Sequence, residues 1–163
     1  MEIFRLSRAP ISMKLLMTVL LCVGGLVYIS LLVHVYQDTE MKPSMIAKAY
    51  GSMEAMELTE HTHKYLPYYV FYLFAIPIIL FMFTSYSEKI KRIFAVWPFL
   101  LIVIDIGAMW LIPYVAKDFF SWVLLFAGTF LGLTFLLLFM LNVYDIWLKK
   151  PADQSRIDQR TMK

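Results

Sequence analysis

The reading of this chain turns on Ile93-Phe94-Ala95-Val96-Trp97-Pro98-Phe99-Leu100-Leu101-Ile102-Val103-Ile104-Asp105-Ile106-Gly107-Ala108-Met109-Trp110-Leu111-Ile112-Pro113-Tyr114-Val115. That stretch holds a single charge and lies between Lys91-Arg92 and Lys117-Asp118. A helix needs about 20 mainly apolar residues to cross the hydrocarbon core of a bilayer, and this stretch supplies them. Three others of the same kind occupy 15–36, 66–86 and 119–148. They account for most of a composition that is 61% hydrophobic and 17% aromatic, with only 17% charged residues. Soluble domains run near 45–50% apolar and about 25% charged. A water-soluble fold of this length would leave much of its apolar surface uncovered. Disordered segments, nucleic-acid-binding modules and disulfide scaffolds are therefore excluded as readings. The expected architecture is all-α: one integral membrane domain over 1–163, built as an antiparallel bundle of four transmembrane helices.

The distribution of Lys and Arg orients the bundle. Arg5, Arg8, Lys14, Lys89, Lys91, Arg92, Lys149, Lys150, Arg156, Arg160 and Lys163 fall on one side, against Lys42, Lys48, Lys64 and Lys117 on the other. Cytoplasmic loops carry the excess of positive charge, so both termini are expected in the cytoplasm of a multi-pass inner-membrane protein. The basic residues flank apolar runs, so the net charge of +3 points to lipid headgroups rather than nucleic acid. The first apolar run is too long for a signal-peptide core and is expected to be retained. The loop 37–65 would lie outside and carry short interfacial helices broken at Gly51, while 149–163 forms a cytoplasmic tail. Tyr and Trp near the ends of the runs fit aromatic belts. Pro77 should kink the second span, and Asp118 is placed to cap the fourth.

Few residues remain to carry chemistry. His34 ends the first span, and His61 and His63 stand in Glu60-His61-Thr62-His63 before the second, so all three histidines fall on the outer side. Two histidines on facing helices suit axial ligation of a b-type haem; His34 and His63 are the expected pair, with His61 as the alternative to His63. The same imidazoles would suit copper or zinc, with Glu57 or Glu60 assisting. On a helix, residues two apart face opposite ways, so His61 and His63 act together only in an extended segment. The plainer reading has all three bonded to headgroups or loop carbonyls.

Asp105 is the second clue. A carboxylate at membrane depth costs about 2.5–3.5 kcal/mol on insertion scales, so it must face the bundle and find a partner. Thr134, Tyr72 and Tyr28 are the candidates, and a proton-carrying or quinone-linked role is the expectation. The alternative is a structural acid bonded to Thr or Tyr. Gly128-Thr129-Phe130-Leu131-Gly132 is a G-x-x-x-G that admits a close helix, within the chain or from another. Gly24 and Gly25 would leave similar room. Asn142 and Asp145 are expected near Lys149 and the headgroups. No phosphate loop, catalytic triad or metal-hydrolase motif is present.

The stretch Glu57-Leu58-Thr59-Glu60-His61-Thr62-His63-Lys64-Tyr65-Leu66-Pro67, followed at once by an apolar run, resembles uncharacterised bacterial four-helix inner-membrane proteins with a His-Thr-His at the outer start of helix 2. The resemblance implies a bacterial inner membrane and respiratory or redox surroundings, and it marks His61 and His63. The reading that follows is a haem-binding electron-transfer or membrane-anchor subunit working with the quinone pool and an outer-side redox partner. Its competitors are a non-redox assembly subunit, alone or in a homo- or hetero-oligomer, and a protein that handles protons or metal ions.

Overall fold

A computed structural model describes residues 5–149. Among them all regular structure is helical: a 3-10 turn at Leu6–Arg8, then α1 (Ile11–Thr39), α2 (Pro43–Tyr50), α3 (Ala55–Met82), α4 (Glu88–Tyr114) and α5 (Lys117–Leu148). Four of these, α1, α3, α4 and α5, are long and apolar enough to span a bilayer. The molecule is a polytopic α-helical membrane protein. Most of the expected tail, including Arg156, Arg160 and Lys163, lies outside the described residues.

Short turns at 83–87 and 115–116 make α3, α4 and α5 antiparallel neighbours, and α4 packs along α5 more extensively than any other pair. Their shared core is Leu73, Phe74, Phe81, Leu101, Ile102, Leu131, Phe135 and Leu138. The most apolar part of α1 is only 17% buried, against 33–39% for the other three. It rests mainly on α3 and α2 and barely touches α5. Large side chains such as Leu26, Val33, Val103 and Leu133 remain exposed all round, as expected where lipid rather than water is the solvent.

The connection from α1 to α3 differs from the expected interfacial loop. Only α2 is a separate short helix, and it plugs the end of the bundle, burying Ile46 and Tyr50 against Leu58, Met109 and Ile112. Residues 55–65 are the first turns of α3 itself, because a capping box starts the helix there: Glu54 donates its amide to Glu57 Oε2 at 3.1 Å. A Cβ on Gly51 would overlap the Lys117 side chain lying across it. Asp118 is not a cap. Ala116 holds that position, and Asp118 sits in the first turn of α5, where a carboxylate is favoured by the helix dipole.

α3 is not uniform. Between Pro67 and Pro77 it widens into a π-helical stretch, Tyr68–Ala75. A proline lacks the amide that an α-turn needs, and i→i+5 bonding is one way for a helix to absorb the loss. At the opposite end of the bundle from α2, the turn after α3 is clamped to α5. Asp145 is fully buried and accepts from the Ser85 amide at 3.1 Å and from the Ser85 hydroxyl. Asn142, also buried, donates to the Pro77 carbonyl at 3.0 Å. Neither Asn142 nor Asp145 reaches out to headgroups as the sequence had implied, although Lys149 stands 3.9 Å from Asp145.

Candidate functional site

Asp105 lies nine residues from the Tyr114 end of α4, about 13 Å below it at the helical rise. It therefore belongs to the half of the bundle nearer α2. Its carboxyl is buried, and the hydroxyl it meets is that of Tyr69. Of the expected partners, Thr134 donates to its own helix at Phe130 O, and Tyr72 faces outward against Tyr68. Tyr28 joins Asp105 only as a second wall of the same cavity. Tyr69 was missed because it sits in the π-helical stretch. The wider turn rotates side chains three residues apart away from one another, so Tyr69 turns inward while Tyr72 turns to lipid.

That cavity has a volume of about 400 Å³ and lies between α1 and α5. Leu73, Phe74, Ile106, Met109, Leu125 and Leu131 form its apolar walls. Asp105, the four tyrosines Tyr28, Tyr50, Tyr65 and Tyr69, and Thr39 and Thr129 are its polar lining residues. Leu133 and Leu136 also line it and are more than half exposed, so the cavity opens sideways toward lipid. Its size falls within the usual range for small-molecule sites.

The glycines explain why there is room. A Cβ on Gly128 would stand 3.5 Å from Asp105 Oδ1, and one on Gly132 would overlap the Tyr28 hydroxyl. The G-x-x-x-G thus packs within the chain, receiving side chains from α4 and α1. Gly24 lets α1 approach α3, with a Cβ position 3.4 Å from the Tyr72 carbonyl oxygen, whereas Gly25 faces open space. Gly24 thus lies against a neighbouring helix and Gly25, one residue or about 100° further round, does not.

From Asp105 a ladder of aromatic side chains runs toward α2. Tyr69 stacks on Tyr65 with centroids 6.3 Å apart, and the hydroxyls of Tyr65 and Tyr50 approach one another. Tyr65 Oη is buried and lacks a partner in hydrogen-bond geometry among the described residues. Burial, reinforced by Tyr65, raises the Tyr50 phenol well above its ordinary pKa, so it stays protonated. Sequence reading missed this ladder too; the signal was the run of tyrosines around Pro67, read there only as interfacial anchors.

All three histidines do lie toward the α2 end, but they do not converge. His34 Nε2 is 3.1 Å from Lys64 Nζ and 3.6 Å from Asp38 Oδ2. His61 bonds the Glu57 carbonyl at 2.9 Å and sets its edge against Tyr50. His63 is exposed, and because α3 is already helical there the pair cannot share a side. Among the described residues no three His, Cys, Asp or Glu side chains gather around a metal-sized site. The His34 nitrogen that would ligate iron faces the Lys64 ammonium rather than His63.

Fold and cavity together define a multi-pass helical membrane protein with a polar-headed recess in its membrane half nearer α2. Comparison with known families agrees: the chain belongs to the transmembrane helical domain family Aq_1264_TM, whose profile matches residues 36–153. The matched region begins at the end of α1 and takes in Asp105, Tyr69 and both glycines of the G-x-x-x-G. No curated protein and no solved structure matches the chain.

Proposed function

We propose that the protein binds a lipid-soluble quinone in the cavity between α1 and α5, as a membrane-embedded quinone-binding or anchor subunit. The carrying observation is the apolar recess of about 400 Å³ with Asp105 and Tyr69 inside it. A quinone head offers carbonyl oxygens, which accept from the Tyr69 and Tyr28 hydroxyls. Its reduced form offers hydroxyls, which donate to Asp105. The apolar walls take the ring, and the lateral opening lets an isoprenoid tail remain in the bilayer. The Lys and Arg imbalance supports an orientation with α2 outside and both termini in the cytoplasm of an inner membrane.

The test is extraction of isoprenoid quinone from protein purified in nanodiscs. Wild-type protein should retain it, and Gly128→Leu, which fills the recess beside Asp105, should lose it by about tenfold or more. Tyr69→Phe should weaken retention without emptying the site. Wild-type protein free of quinone after supplementation would refute the proposal. A visible spectrum of the same sample decides the haem reading: a Soret band abolished in His34→Ala would restore it.

A further inference from the structure

Next to the quinone recess, and sharing Leu31 and Tyr65 with it, α1 and α3 leave a groove of about 560 Å³. Its deep end is walled by Leu26, Val27 and Leu31 and its shallow end by His34, Lys64 and Tyr68. From Leu26 to His34 the lining rises about 12 Å along α1, and Leu26 is 67% exposed. The groove is therefore open to the bilayer along its length, apolar below and polar above. Those are the proportions of one lipid chain beneath its headgroup.

The shallow end has a definite charge pattern. Lys64 Nζ stands 3.1 Å from His34 Nε2. An ammonium has only donors, so His34 accepts there through Nε2. One turn further toward the end of α1, Asp38 brings a carboxylate to within 3.6 Å of the same imidazole nitrogen. An ammonium and a carboxylate thus stand side by side around His34 Nε2, above the apolar wall. A glycerophospholipid bearing a phosphoethanolamine head presents a phosphate and an ammonium side by side above its acyl chains. A head with negative charge alone would satisfy Lys64 but meet Asp38 with like charge. A trimethylammonium head could not donate hydrogen bonds to the carboxylate.

We propose that the α1–α3 groove holds one phosphoethanolamine lipid, with its phosphate at Lys64, its ammonium at Asp38 and an acyl chain along Leu26, Val27 and Leu31. The site adjoins the quinone recess through Leu31 and Tyr65, but its test reads phospholipid rather than quinone and does not depend on that reading.

Native mass spectrometry of the full chain, released from detergent with equimolar phosphatidylethanolamine, phosphatidylglycerol and phosphatidylcholine, reads the occupancy directly. Wild-type protein should retain one phosphatidylethanolamine in preference to the other two. Lys64→Gln should lower retention of every phospholipid by about fivefold, the scale of one cation–headgroup contact. Asp38→Asn should leave phosphatidylglycerol bound and erase the preference, moving the ratio toward phosphatidylglycerol by a similar factor. Leu26→Trp, which obstructs the chain path without altering charge, should empty the groove. Both charged positions are exposed enough for the variants to fold, which circular dichroism checks. Inorganic phosphate should not compete, since it lacks the chain; displacement by phosphate would mark a free-anion site and overturn the proposal. Equal retention of the three lipids by wild-type protein, or an unchanged ratio in Asp38→Asn, would overturn it as well.

Discussion

Gly25 and Gly132 are both glycines in the interior of apolar helices, yet a side chain would meet open space at one and the Tyr28 hydroxyl at the other. Gly25→Ala should raise stability slightly, up to about 1 kcal/mol from helix propensity alone. Gly132→Ala should lower it by about 1–3 kcal/mol, because Tyr28 must leave its place over α5. Reversible unfolding in mixed micelles measures both, and equal effects at the two positions would contradict the packing described here. Asp105 follows the same logic from the polar side. An apolar run with one carboxylate announces that a partner exists, and that much was legible. Which hydroxyl answers it was not, because Tyr28, Tyr69 and Tyr72 are alike as letters and differ only in where the backbone turns them.

At the level of elements, α3 does the most to set the site, and its departure from regularity is the reason. Pro67 and Pro77 bracket the π-helical stretch that turns Tyr69 inward. The prolines announced a disturbance of the helix, but not a change of helical period, since the same residues read at 3.6 per turn give a different face. The lower end of α3 is held by the Asp145 clamp on Ser85. Asp145→Ala leaves the Ser85 amide and hydroxyl without their acceptor and should cost about 2–3 kcal/mol. Asp145→Asn keeps one acceptor oxygen and should cost less. Thermal unfolding of the two variants reads the difference. Trp110 and Trp147, expected as interfacial anchors, also tie helices together, donating to Thr62 Oγ1 at 2.8 Å and Thr18 Oγ1 at 2.9 Å.

For the whole molecule, α1 stands apart. It is the least buried span, and it forms one wall of both recesses. The family match starts at residue 36, where α1 is ending, so the matched unit is α2 with the three tightly packed spans. A lightly seated helix thus borders two adjoining recesses on the lipid-facing side of the bundle. Orientation is the remaining global property, and it is testable in cells. With the native Cys22 replaced by Ser, a membrane-impermeant maleimide should label Ser52→Cys from outside intact cells. Ser87→Cys, at the other end of the bundle, should be labelled only after lysis. The reverse pattern would invert the bundle.

By itself the amino-acid sequence determined that this chain spans a membrane four times and that its chemistry is confined to a few residues. Burial in lipid demands long uncharged helices, and that demand is written in composition and run length. Only the tertiary structure decided which of those residues meet. It paired Asp105 with Tyr69, set His34 beside Lys64 rather than His63, and turned the G-x-x-x-G toward Asp105 and Tyr28. The physical reason is that run length is a one-dimensional property, whereas a site depends on helix rotation. A π-turn, a single residue's step around α1 and the choice of neighbouring helix each alter that rotation without altering the hydrophobic pattern.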